Sequence, residues 1–336
     1  MKRWIGPIIV LIVLLAAGGY WFYWSTLADG LERGFARWAE DRRAEGTEVA
    51  YSSAEVSGFP YRLELHIEQP SIEAAGLNGA PAWAADRLVL YFQTWKRGHG
   101  IAQAFGPQRI GWTEGTVRRN ATVTSEQALA SFRFTDRGVM TRVDTDLTQV
   151  KVAGSLPLRE AERLQVHGRL RPEAGEQPHF DLSVSGTGLK VDPEASPLGE
   201  NIDRYRTTVT FEPLPDSTAP GHLDAWRDAG GVLQVQAFEV ATGDLSITGK
   251  GTFALDTARR AEGAATLIVR GADAFVDAVA AAGQLAGGAR LGLQLGITAL
   301  EETDTEGNKF VRIPIEIQDG RFKLMGFGLA SVEPLY

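Results

Sequence analysis

Tyr61, Leu63, Leu65 and Ile67 alternate with Arg62, Glu64, His66 and Glu68. In a β-strand successive side chains point to opposite faces, so this segment has one greasy and one wet face. Antiparallel sheets tolerate that asymmetry, whereas parallel strands covered on both sides do not. The pattern recurs in Leu164, Val166 and Leu170, in Phe180, Leu182 and Val184, and in Val311, Ile313, Ile315 and Ile317. Further strands are predicted at 87–95, 139–152, 206–212, 232–240, 245–255 and 321–325, with few helices, at 273–284 and 289–300. The predicted fold class is mainly β: a large antiparallel, curved sheet over residues 47–336, with a sub-boundary considered at the Pro-rich 213–220. Pro314 lacks a donor N–H, so its strand is expected to be an edge or to carry a bulge.

The amino end obeys a different rule. Ile5 to Trp24 contains no charged side chain, and about 20 apolar residues at 1.5 Å each cross a hydrocarbon core of about 30 Å. Lys2 and Arg3 precede the run and favour a cytoplasmic amino end, which puts the rest of the chain across the membrane. The alternative is a signal peptide cut after Ala16-Ala17-Gly18. Large aromatics, Tyr20 to Trp24, follow those small residues where a signal peptide turns polar, so residues 1–25 are read as an uncleaved anchor. Leu27, Leu31, Phe35 and Trp38 then share one helical face, giving an amphipathic leader over 26–46 that Gly46 stops. Its polar face carries both signs, which favours a helix capping the following sheet over one lying on lipid.

The chemistry-bearing residues are sparse. With no cysteine there is no thiolate metal site or cysteine nucleophile, and a net charge of -8 argues against a nucleic-acid partner. Gly249-Lys250-Gly251-Thr252-Phe253-Ala254 loosely fits a dinucleotide fingerprint, but a strand pattern continues where a phosphate-binding helix would have to open. His66, His179 and His222 each have an acid two residues on, a spacing that lets a carboxylate orient an imidazole. No third ligand accompanies any pair. The reading is therefore no catalytic residues, no metal and no cofactor, with a hydrolase built on His66 or His179 as the enzymatic alternative.

The anchor, Gly58-Phe59-Pro60-Tyr61-Arg62, Trp226 with Gly230-Gly231-Val232-Leu233, the segment 249–256, and the ending Asp319-Gly320-Arg321-Phe322-Lys323 with Pro334-Leu335-Tyr336 resemble an alphaproteobacterial family known as domain of unknown function 2125. The strand, turn at 256–259 and returning strand at 263–269 are similar to the wider AsmA-like group. That resemblance implies one amino-terminal helix, β-sheets projecting into the periplasm as a groove or sandwich, and a part in moving lipid or maintaining the envelope.

Two function classes follow. In the first, the apolar sheet face binds or guides lipid or supports envelope assembly, with Tyr61, Leu63, Leu65, Ile67, Leu164, Val166, Phe180, Leu182 and Val184 as groove residues. In the second, an edge strand at Arg321–Met325 with the exposed tail to Tyr336 recruits an envelope protein by β-augmentation. Residues 5–24 contact the inner membrane in both.

Overall fold

A charge-free run followed by helix-forming residues with no proline leaves the backbone nothing to break on, and anchor and leader form one helix, α1 (Ile5–Ala44). The computed structural model describes residues 5–74, 79–172, 177–216, 220–281, 294–297, 299–324 and 326–335. The 40 residues of α1 measure about 60 Å at 1.5 Å each, about twice a bilayer's hydrocarbon core. The helix is long and apolar enough to cross a membrane, and its most apolar stretch is unburied. Its end is a complete Schellman motif: Gly46 takes φ 85°, the Thr47 N–H donates to the Arg42 carbonyl at 2.9 Å, and the Gly46 N–H donates to that of Arg43 at 3.1 Å.

The chain divides into two compact units, Met1–Met140 and Thr141–Tyr336. In the first, β1 (Glu48–Ala50), β4 (Ser71–Glu73), β5 (Ala82–Ala84), β8 (Gln108–Glu114) and β9 (Val117–Thr124) pair in that order. A second ladder runs β2 (Ser53–Ser57), β3 (Arg62–Glu68), β6 (Arg87–Gln93), β7 (Lys96–Phe105) and β10 (Gln127–Phe134). All these pairs are antiparallel. Leu63, Leu65 and Ile67 of β3 stand opposite Phe92, Leu90 and Leu88 of β6 and are buried. The outer half of α1 packs on β1, β2 and β3, with Ala39 fully buried and the Phe35 and Tyr51 rings 5.1 Å apart. The Val56 N–H donates to Glu32 Oε1 at 2.7 Å, so a helix carboxylate satisfies a strand backbone group that would otherwise need water.

The second unit is an antiparallel meander: β11 (Met140–Gly154), β12 (Leu158–Arg171), β13 (His179–Val191), β14 (Asn201–Glu212), β15 (Val232–Thr242), β16 (Leu245–Leu255), β17 (Ala261–Arg270), β19 (Lys309–Gln318), β20 (Arg321–Leu324) and β21 (Phe327–Ser331), each paired with the next named. The short β18 (Glu301–Thr303) pairs with β19. Among the described residues, α2 (Pro220–Asp228) and α3 (Ala272–Ala281) join it, with further helical residues at 294–297. The sheet is open: β11 and β21 do not pair with each other. Its core lies under α3, where Phe275 and Val276 meet Val240, Ile247, Val269, Val311 and Ile313.

Several sequence expectations need correction. Pro314 sits neither on an edge strand nor at a bulge. It stands opposite Thr266, and among the described residues the pairing on its other side reaches Val311 with β18 and resumes at Ile315 with β20. The recruiting edge expected at Arg321–Met325 is interior as well: β20 pairs with β19 and with β21. Met325, and residues 282–284 and 289–293 of the expected helices, lie outside the described residues.

Candidate functional site

Residues directly opposite in an antiparallel pair share a face, so the registers of unit 2 assemble the greasy side row by row. One row runs Leu164, Gly186, Tyr205, Val240, Ile247 and Val269 across β12 to β17. The next runs Val166, Val184, Thr207, Phe238, Gly249 and Leu267, and the third Gly168, Leu182, Val209, Val235, Gly251 and Ala265. The fourth is Leu170, Phe180, Phe211, Leu233, Phe253 and Gly263. Bulges between Thr208 and Val209 and between Val235 and Phe238 keep the rows aligned across β14 and β15. Small residues lie where neighbours fold over: a Cβ at Gly186 would stand 2.9 Å from Leu164 Cδ2, and one at Gly168 3.1 Å from Phe180 Cζ.

Cover on this face is uneven. At the β15–β19 end, α3 and Ile297 close the first row at Val240, Ile247, Val269 and Val311, and Ile313 beside it is 0% exposed, while the second to fourth rows stay half-buried from β15 to β17. Over β12 and β13 the five expected groove residues, Leu164, Val166, Phe180, Leu182 and Val184, are all half-buried, and none belongs to the sealed cluster. The four expected in unit 1 do not join them. Leu63, Leu65 and Ile67 are interior, Leu65 at 0% exposed, because β3 is flanked by β2 and β6 and packed by α1. Tyr61 is 77% exposed at a turn.

The other face of the unit 2 sheet is charged. Arg163 donates twice to Asp146, at 2.8 and 2.7 Å, and Arg142 twice to Asp144, at 2.7 and 3.0 Å, where His167 Nδ1 also sits 2.8 Å away. Hydrogen bonding and charge from Arg163 hold the Asp146 carboxyl below the usual carboxylate range. Burial pushes Asp144 up, but Arg142 and His167 outweigh it and its carboxyl also lies low. Arg163–Asp146 and His167–Asp144 are cross-strand pairs and Arg142–Asp144 is a pair within β11, and such satisfied pairs explain the charge alternation without a ligand. A hollow of about 760 Å³ opens among residues alternating with the apolar rows, Lys250, Thr252, Thr266 and Glu316 among them.

His66 meets Glu64, not Glu68: Glu64 Oε2 is 3.3 Å and Ser57 Oγ 3.0 Å from the same Nε2. An acid on that nitrogen cannot orient the ring for a serine, which requires the acid at the opposite nitrogen. Asp181 is engaged by Arg171 and Thr210, and Asp224 by Arg227 and Arg259. Among the described residues no three His, Asp or Glu side chains converge as a metal set. The glycines of 249–254 lie inside β16, which continues to Leu255 without opening a helix. Sequence reasoning did not single out the covering role of α2, where Trp226 is buried and its Nε1 donates to the Pro213 carbonyl at 2.7 Å. The lone Trp before a Gly-Gly pair was the available signal.

The profile of the family described as "Uncharacterized protein conserved in bacteria (DUF2125)" matches residues 24–333. The chain belongs to this family. Matching from 24 onward, DUF2125 takes in the outer half of α1 and both units, so the helix end packed on β1–β3 is part of the family fold. No curated protein and no solved structure matches the chain.

Proposed function

We propose that this DUF2125 member is a single-pass, inner-membrane-tethered protein whose body lies in the periplasm and acts without catalysis, sheltering or guiding the acyl part of a lipid on the apolar face of unit 2. The observation that carries the reading is the uneven cover of that face. The α3 corner, made by Val240, Ile247, Val269, Val311 and Ile313, is sealed as a core should be, while the side chains of the rows over β12–β14, and of the second to fourth rows as far as β17, are only half-buried. Soluble proteins seldom leave a contiguous apolar face of that extent without a use for it. From β12 to β16 the rows span about 19 Å at about 4.8 Å per strand. Each CH₂ settled there gains about 0.8 kcal/mol at full burial. The sequence resemblance of the strand–turn–strand at 245–269 to the AsmA-like group favours the same reading.

The test is native mass spectrometry of the full chain extracted in a mild detergent, beside Val184→Glu. A carboxylate at a half-buried position reaches water in the empty protein but is buried against a bound chain, which costs several kcal/mol. The expected result is phospholipid retained by the wild type and lost from the variant. An equal lipid load on both, or none on either, overturns the reading.

A further inference from the structure

We propose that unit 1 makes a second membrane contact besides the helix: the turns at one end of its β2-β3-β6-β7-β10 ladder dip into the headgroup region of the bilayer that α1 crosses. Three connections lie at that end, at residues 58–61, 94–95 and 135–139. All three display apolar side chains to solvent, namely Phe59, Tyr61, Trp95 and Val139, with Phe134 and Met140 beside them. Tyr61 and Trp95, at 77% and 70% exposed, are among the least covered aromatic side chains of the molecule.

The opposite end of the same strands carries no such display. Gln69, Asp86, Gly106, Pro107, Glu126 and Gln127 are the exposed residues there. The ten residues of β7 put the two ends about 30 Å apart. One end of a small sheet is thus aromatic and the other polar, a polarity that core packing does not require.

The level of the aromatic end is fixed by α1. Tyr20 Oη donates to the Pro60 carbonyl at 2.5 Å, Trp24 Nε1 to the Arg62 carbonyl at 3.1 Å, and Tyr23 Oη to the Thr94 carbonyl at 3.3 Å. The Phe59 ring stands 6.1 Å from Tyr20 and 5.5 Å from Trp24. Residues 20–24 close the charge-free run, where the helix leaves hydrocarbon if 5–24 fill it. The turns therefore stand at the depth where tyrosine and tryptophan are enriched, with their rings half in lipid and their polar atoms in water. Exposed Arg62, Lys96 and Arg137 beside them suit anionic headgroups. Gly58, at φ 98°, makes the first turn: a Cβ there would meet the Arg62 carbonyl oxygen at 2.8 Å. A helix alone can swivel about its axis; a second contact holds unit 1 at one orientation to the lipid surface.

This inference shares with the proposed function only the membrane-spanning α1, not the unit 2 face. The chain has no cysteine, so Tyr61→Cys, Trp95→Cys, Val139→Cys, Glu126→Cys and Leu14→Cys each carry one nitroxide in the full chain, reconstituted in nanodiscs of phosphatidylethanolamine and phosphatidylglycerol. Collision with dissolved oxygen, enriched in lipid, is compared with collision with a water-soluble nickel complex. The expected result is an oxygen-to-nickel ratio at 61, 95 and 139 several-fold above that at 126. Ratios equal to that at 126, with Leu14 lipid-exposed, overturn the second contact alone. Protection from both collision partners at the three tips means protein cover and also overturns it. A water-exposed label at 14 overturns it together with the anchor on which the proposed function stands.

Discussion

Deleting carbon from two positions of one apolar face separates its sealed part from its open part. Ile313→Ala removes three carbons from a side chain that is fully buried among Val269, Val311 and Phe275 beneath α3. At about 0.8 kcal/mol per buried carbon the transfer loss is about 2.4 kcal/mol, and the cavity left behind raises it to about 3–4 kcal/mol, inside the measured range for such deletions. For a unit of this size that lowers Tm by roughly 6–16 °C. Val184→Ala removes two carbons two strands beyond β15, where the side chain is only half-buried, so the loss stays under about 1 kcal/mol and Tm falls by a few degrees at most. Thermal melts of the full chain in one detergent, followed by circular dichroism, give both shifts, with lipid removed beforehand. Equal shifts would refute the reasoning, because they would mean that β12–β14 are as sealed as the α3 corner.

Other consequences are local. Gly231→Ala sets a methyl into the indole ring of Trp226; displacing α2 is expected to cost about 1–3 kcal/mol, read from tryptophan emission and the melt, and an unchanged spectrum would contradict it. Glu32→Ala removes the acceptor of the Val56 N–H, so hydrogen exchange at Val56 should quicken while Val89 in β6 keeps its protection. Asp146 has a carboxyl held below its unfolded value by Arg163, so its contribution is present above the unfolded pKa of about 4 and is lost as pH falls through the folded value. Asp146→Asn is therefore expected to lower Tm at pH 7 and to leave it unchanged at pH 2–3; an equal drop at both would mean that the effect is not ionic.

What was legible in the sequence was periodicity backed by bulk. The strand expected at 245–255 is β16 with those limits, because Leu245, Ile247 and Phe253 mark one face by size. β7 has no such marking: its inward positions are Gly100, Ala102 and Ala104, which alternate without large side chains. Gly100 is small because the Phe92 and Phe132 rings close over it, a contact no local pattern announces. Anchor and leader were read as two elements because their surroundings differ, although the backbone has no reason to stop before Gly46. The greasy residues of β3 and β13 look alike in sequence. Pairing and cover, which are non-local, make Leu65 core and leave Val184 half-open.

The most direct test of the account is photolabelling with a phospholipid that carries a diazirine within its acyl chain, using the full chain in native membrane discs and mapping the adducts by peptide. The account predicts adducts on α1, and on segments 164–166 and 180–184 of unit 2, with none at Ile313. Adducts confined to α1 would contradict it.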